Sequence, residues 1–249
     1  MAIGERGSTG TSAADMRVIA VASQKGGSGK TTIAGHLAVQ AERDGAGPVA
    51  LLDLDPQGTL ADWAAPRAAT APIFAVTGPA RLAADLEGLR EQGVRLVLID
   101  TPPALTVTIQ PAIQAAELIV VPTRPSPHDL HAAGGTVELC ERSGKPLLFV
   151  VNAATPKARI TSDTAVALSQ HGTVAPVTVH QRTDYAVSMA DGRTVMELDP
   201  TGRAAAEIAA LWHYVSDRLE KNFRRTVFAS VGQGAVRATA HAFGRRVLS

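Results

Sequence analysis

Ten residues, Ser23 to Thr32, read SQKGGSGKTT and hold the densest chemistry in the chain. Gly26, Gly27 and Gly29 carry no Cβ to obstruct a close approach. The backbone N–H groups from Gly26 through Ser28 to Lys30 can therefore turn inward around a phosphate, and a helix starting there adds its positive dipole end. Lys30 is placed to bridge a β- and a γ-phosphate, Thr31 to offer its hydroxyl to Mg²⁺, and Thr32 to reach an α-phosphate. The stretch departs from the ordinary G-x-x-x-x-G-K-[ST] pattern, because Gln24 stands where the first glycine belongs and a second lysine, Lys25, follows it.

Mg²⁺ takes oxygen ligands and keeps several waters, so a carboxylate at the end of a neighbouring strand is expected to hold them. Asp100, closing VRLVLID before TPP, is that candidate. Asp53 and Asp55 in LLDLDPQG form a second acidic cluster. Carboxylates at strand ends beside a phosphate loop are costly unless a metal or a water network uses them. A surface turn over Asp55–Gly58 accounts for only one of the two. His128 and His131, three apart near a helix start, have the spacing of a metal pair, but no third ligand is evident nearby.

These groups need a scaffold. Short apolar runs recur at 17–23, 48–55, 72–76, 94–100, 118–123, 147–153 and 174–179, without strict alternation, as strands buried on both faces do. Stretches of helical length separate them at 30–44, 79–92, 128–143 and 159–171, with Gly45, Gly93, Gly144 and Gly172 at the C-cap positions. A last helix is expected over 203–220, its stripe of Ile208, Leu211, Trp212, Val215 and Leu219 turned to the core. The alternation predicts a single-domain α/β fold, a doubly wound, mostly parallel sheet flanked by helices. Residues 1–15 are small, polar and glycine-rich and are expected to form a flexible N-terminal segment; the folded domain is expected over 16–220 and a basic tail over 221–249.

At 249 residues and 45% hydrophobic content, the chain can bury a core of ordinary size. Its single cysteine, Cys140, excludes an intrachain disulfide and a cysteine-rich metal site, and suits a reducing cytoplasm. No apolar run approaches the roughly 20 residues of a bilayer span, and no leader is evident, so a soluble protein is expected. The net charge of +1 averages two unlike parts. Residues 221–249 hold six Lys or Arg and no acid, leaving 18 basic against 23 acidic side chains before them, a net of −5. Such a tail either meets an anionic surface or is a solvated terminus.

KGGSGKTT, DLDPQG, LVLIDTPP, VPTRPSPHDLHAAG and QRTDYAVSMADGRTVMELDPTGRAA together resemble the ParA/MinD branch of deviant Walker ATPases, most of all its small ParF-like partition members. The likeness runs from about Arg17 to about Glu220. It implies an ATP- and Mg²⁺-dependent homodimer in which two subunits face each other across two nucleotides. Lys25 would then cross to the phosphates of the partner subunit, offsetting the repulsion of the opposed nucleotides. The catalytic set so implied is Lys25, Lys30 and Asp55, with Asp55 orienting the attacking water and Asp100 holding Mg²⁺ through water beside Thr31. Asn152 resembles the asparagine that reads adenine; a satisfied polar residue ending a strand is the alternative. Pro122–Pro127 resembles a proline-rich segment shaping the nucleotide side of the dimer.

The resemblance further implies non-specific DNA binding on the nucleoid, through Arg182 and Arg203, with Arg218, Lys221 and Arg225 alongside, and slow hydrolysis stimulated by a ParB-like or other adaptor. The alternative is a MinD-like membrane tail, with Phe223, Val227 and Val231 four apart, interrupted by Gly232 and Gly234. Iron–sulfur relatives of this fold need two cysteines, and its tyrosine autokinases need a tyrosine-rich tail; with one cysteine and two tyrosines, neither fits. Whether the cargo is a plasmid, a chromosome, a chemoreceptor cluster or a carboxysome stays open.

Overall fold

Strand β1 (Arg17–Val21) leads through the glycine-rich loop into helix α1 (Lys30–Arg43), and the same alternation continues down the chain. The elements are β2 (Val49–Asp53), α2 (Thr59–Ala64), β3 (Ile73–Val76), α3 (Leu82–Glu91), β4 (Leu96–Asp100), α4 (Gln110–Ala115), β5 (Leu118–Thr123), α5 (Pro127–Arg142), β6 (Leu147–Val151), α6 (Arg159–Ser169), β7 (Thr173–Val174), α7 (Thr183–Met189) and α8 (Val195–Leu198). A final helix, α9, spans 203–222. This computed structural model describes residues 16–103 and 108–222. The expectations for residues 1–15, for Arg225 and for the rest of the tail past Asn222 lie outside the described residues.

The seven strands form one sheet, β3-β2-β4-β1-β5-β6-β7, with every pairing parallel. Side chains alternate across it. Ile19 and Val21 join the cluster under α1 and α9, while Val18, Ala20 and Ala22 join the cluster under α3, α4 and α5. Both faces are covered, which is why β2, β4 and β5 are buried at every residue and read as continuous apolar runs. Register sets the site: Val21 and Asp53 both lie opposite Asp100, so β1, β2 and β4 end together.

Gly45, Gly93 and Gly144 sit at positive φ and close α1, α3 and α5, with the next residue's N–H returning to Ala41, Leu89 and Cys140 respectively. Gly172 does not belong with them. Its φ is not positive; a Cβ there would meet Leu147 Cδ1 at 2.6 Å, so it allows close packing on β6 rather than capping α6.

The strand expected over 174–179 is corrected as well, since only Thr173–Val174 joins the ladder. Pro176 has no N–H to give, and the segment instead touches β6 through Ala175 N–H to Phe149 O and Val179 N–H to Val151 O. Helices α2, α4, α7 and α8 arise in stretches expected as connections.

Candidate nucleotide site

Gly29, at φ 95°, turns the chain from the loop into α1, which has neither a side-chain cap nor an acid in its first turn. Its first N–H groups are left to a ligand. Ser28 is fully buried, its Oγ has no partner, and its carbonyl accepts the Asn152 Nδ2 donor at 2.7 Å. A Cβ on Gly29 would lie 2.2 Å from that nitrogen. Asn152, at the end of β6, thus braces the loop.

The two lysines part company. Lys30 is 7% exposed and its ammonium donates to the Lys25 carbonyl at 3.3 Å. Burial lowers its pKa, with Asp100 and Asp55 acting against that. Lys25 is exposed at the rim.

Beneath the loop, Thr31 Oγ1 donates to Asp100 Oδ2 at 2.6 Å. Asp100 is 1% exposed and its Oδ1 has no partner. Burial pushes its carboxyl up to about 7, with Asp53 and Asp55 adding to the rise while Thr31 and Lys30 oppose it. A buried carboxylate with one orphaned oxygen beside a threonine hydroxyl suits the water shell of a hard divalent cation, so Thr31 and Asp100 fit Mg²⁺. His128 and His131 are exposed on α5, and no group of three potential ligating residues occurs among the described residues.

Asp53 has a part that the sequence reading left unassigned. Fully buried, it accepts the Asp55 N–H at 2.9 Å on Oδ1 and the Ala61 N–H at 3.0 Å on Oδ2. It thereby pins both ends of the segment carrying Asp55; burial raises its pKa. Asp55 also forms the expected turn, accepting the Gln57 N–H on Oδ1 and the Gly58 N–H on its carbonyl.

A cavity of about 190 Å³ opens from Gly29 and Thr32 and is lined further by Arg124, Asn152, Val179, His180, Arg182 and Tyr185. The basic residues grouped in the sequence reading are separated here. Arg182 lines this cavity as a half-buried wall residue and is ion-paired with Glu207. Arg218 donates to Thr173 Oγ1 at the sheet edge. Arg203 and Lys221 are exposed on α9, about five turns and about 27 Å apart along its axis.

Two braces had no signal in the sequence. Arg67 is bidentate on Glu197 at 2.8 and 3.0 Å, donates to Gly192 O and Ala71 O, and lies 5.1 Å from the Trp63 ring centroid. His36, buried in α1, joins Thr32 O at 2.8 Å to the Val195 N–H at 3.2 Å. The segment after Asp55 and the helix after the loop are both tied in this way to residues 192–197.

Residues 19–208 match the family model for the CobQ/CobB/MinD/ParA nucleotide-binding domain. The chain belongs to this family. It is 33% identical over 203 residues to the maintenance of carboxysome distribution protein A of Halothiobacillus neapolitanus, spanning 76% of this chain and 91% of that protein. It is also 33% identical over 157 residues to the chromosome-partitioning ATPase Soj of Thermus thermophilus, covering 51% and 63% of the two chains. The family fold is shared with septum site-determining protein MinD of Pyrococcus horikoshii complexed with Mg-ADP, at TM-score 0.67 and 16% identity over 83% of this chain and 98% of that one. A Cyanothece McdA–ATP complex aligns at TM-score 0.63 and 17% identity, over 84% and 96%. No helix among the described residues is long and apolar enough to cross a membrane.

Proposed function

We propose that the chain is an ATP-hydrolysing switch that dimerises around ATP and Mg²⁺, binds DNA without sequence preference and positions or partitions a cargo. An adaptor protein stimulates its hydrolysis. The observation that carries this reading is the division between the two lysines of one loop: Lys30 is buried over Asp100, whereas Lys25 is exposed at the rim. A cation outside its own phosphate cradle suits charge neutralisation across a subunit interface. Bound Mg²⁺ would neutralise phosphate charge, and Thr31 and Asp100 are the residues to hold it. Lys30 would cradle the phosphates, and Asp55, half-exposed and anchored by Asp53, would orient the attacking water.

The positioning role is supported by the relatives named for carboxysome distribution and chromosome partitioning. DNA is favoured as the track by the solvent-facing Arg203 and Lys221, which suit phosphate contacts. With ATP and Mg²⁺, light scattering should show a dimer for the wild type and a monomer for Lys25→Ala, which still binds nucleotide. Asp55→Ala should hold the ATP dimer. A Lys25→Ala protein that dimerises and hydrolyses ATP normally would refute the switch. ATP-dependent binding to anionic vesicles with no affinity for DNA would replace the nucleoid with a membrane.

A further inference from the structure

The outer wall of the cavity beside the loop is the segment His180–Tyr185, and a single carboxylate from another helix holds it in place. Glu207, in α9, accepts the His180 backbone N–H at 3.1 Å on Oε2 and lies 2.7 Å from His180 Nδ1 through Oε1. The Arg182 Nε donates to Oε2 at 3.3 Å, its Nη2 donates to Oε1, and the Tyr185 hydroxyl approaches at 3.5 Å. The Glu207 side chain is 14% exposed, and although burial alone would raise its pKa, the Arg182 and His180 donors hold it below the usual glutamate value. Glu207 does not itself line the cavity. Whatever it does for a ligand, it does through the residues it orients.

The hydrogen-bond polarity of the wall follows from these contacts. An ionised carboxylate only accepts, so His180 presents Nδ1–H to Glu207, and in the neutral ring Nε2 is then an acceptor. Across the cavity, Asn152 gives one of its two Nδ2 N–H groups to Ser28 O, which leaves Oδ1 as an acceptor and the second N–H as a donor. Asn152 Oδ1 and the neutral His180 Nε2 are acceptors for an exocyclic amino group, and the second Asn152 N–H is a donor for a ring nitrogen, whereas a carbonyl in place of that amino group would set oxygen against Oδ1. Arg182, with two of its nitrogens on Glu207, is fixed as a flat guanidinium suited to stacking on a purine.

We propose that Glu207 is a positioning residue for base specificity: it fixes Arg182 and His180 as the cavity wall, so that a 6-aminopurine nucleotide is taken in preference to a 6-oxopurine one. This inference rests on the nucleotide-site reading above. It assigns Arg182 to the nucleotide rather than to DNA.

The test uses the full-length protein at pH 8 and compares wild type, Glu207→Gln and Arg182→Lys. Dissociation constants are measured for ATP, GTP and inorganic tripolyphosphate, together with DNA affinity at saturating ATP. The expected result is a wild-type preference for ATP over GTP. In both variants the ATP constant should weaken about tenfold, as the loss of one good hydrogen bond would produce, and the preference should shrink, with tripolyphosphate binding unchanged. Unchanged ATP binding in both variants overturns the proposal. So does an equal loss for all three ligands, which would make Glu207 merely structural, or weaker DNA binding by Arg182→Lys at unaltered ATP affinity. A wild type that binds neither ATP nor tripolyphosphate would instead refute the phosphate-loop reading itself.

Discussion

Replacing Arg67 with methionine should destabilise the protein more than any surface change and should loosen the segment that carries Asp55. Methionine keeps an apolar stem against Trp63 but removes the guanidinium. Arg67 is 6% exposed and Glu197 21%, so their bidentate pair is largely shielded from water. Breaking such a pair strands one charge and typically costs roughly 3–5 kcal/mol. Here Glu197 keeps the Thr194 N–H at 2.9 Å and the Thr194 hydroxyl at 2.8 Å, which places the expected loss at the lower end, about 3 kcal/mol. For a chain of this size that corresponds to a drop in Tm of roughly 6–12 °C. The assay is thermal unfolding of wild type, Arg67→Met, Glu197→Gln and the double variant. The double variant should be less destabilised than the sum of the singles by about 1–3 kcal/mol. Raising NaCl to about 0.5 M should hardly alter the difference, because a buried pair is weakly screened. A loss under about 1 kcal/mol, or one abolished by salt, would show the pair to be ordinary surface electrostatics.

Gly29→Ala should abolish nucleotide binding and destabilise the fold by about 2 kcal/mol, since φ 95° disfavours an L side chain and the new Cβ lies 2.2 Å from Asn152 Nδ2; calorimetry with ATP and a melt check both. Asp53→Asn should lower kcat while leaving the ATP dissociation constant nearly unchanged, because an amide cannot accept from both Asp55 and Ala61 N–H; a turnover assay beside equilibrium binding separates the two. His36 should contribute an acid limb. Burial holds its pKa down at about 4 against an ordinary 6.5, so its stability contribution is full above pH 6.5 and is lost as pH falls towards 4, by about 3 kcal/mol. Denaturant melts of wild type and His36→Gln across pH 4–8 should show the difference between them shrinking on the acid side.

The placement of the glycine-rich loop between β1 and α1, the position of Asp100 at a strand end and the sheet class were legible because each depends on local sequence: glycines at set spacing, a carboxylate ending an apolar run, and strands buried on both faces. The short helices α2, α4, α7 and α8 were not, since four to seven residues make too few turns for an apolar stripe to emerge. Asp53 and Asp55 looked alike in the sequence. Only the fold shows that Asp53 is spent on backbone N–H groups while Asp55 remains half-exposed. Arg182 and Arg203 looked alike for the same reason. What separates them is Glu207, a partner 25 residues from Arg182, whose effect no local pattern records. Residues 192–197 show the limit most plainly: Trp63, Arg67 and His36 all converge there from distant parts of the chain.

The hydrogen bond from Asn152 to the Ser28 carbonyl joins residues 124 apart in sequence. A chain emerging from the ribosome has the glycine-rich motif exposed long before strand β6 is made. Until that strand docks, the motif lacks the brace that shapes its cradle, and loop-closure entropy opposes holding that shape. On the proposed nucleotide reading, tight triphosphate capture would therefore require that synthesis has passed Asn152 and that the sheet has assembled around it. Nascent fragments stalled earlier would then not compete with finished molecules for nucleotide.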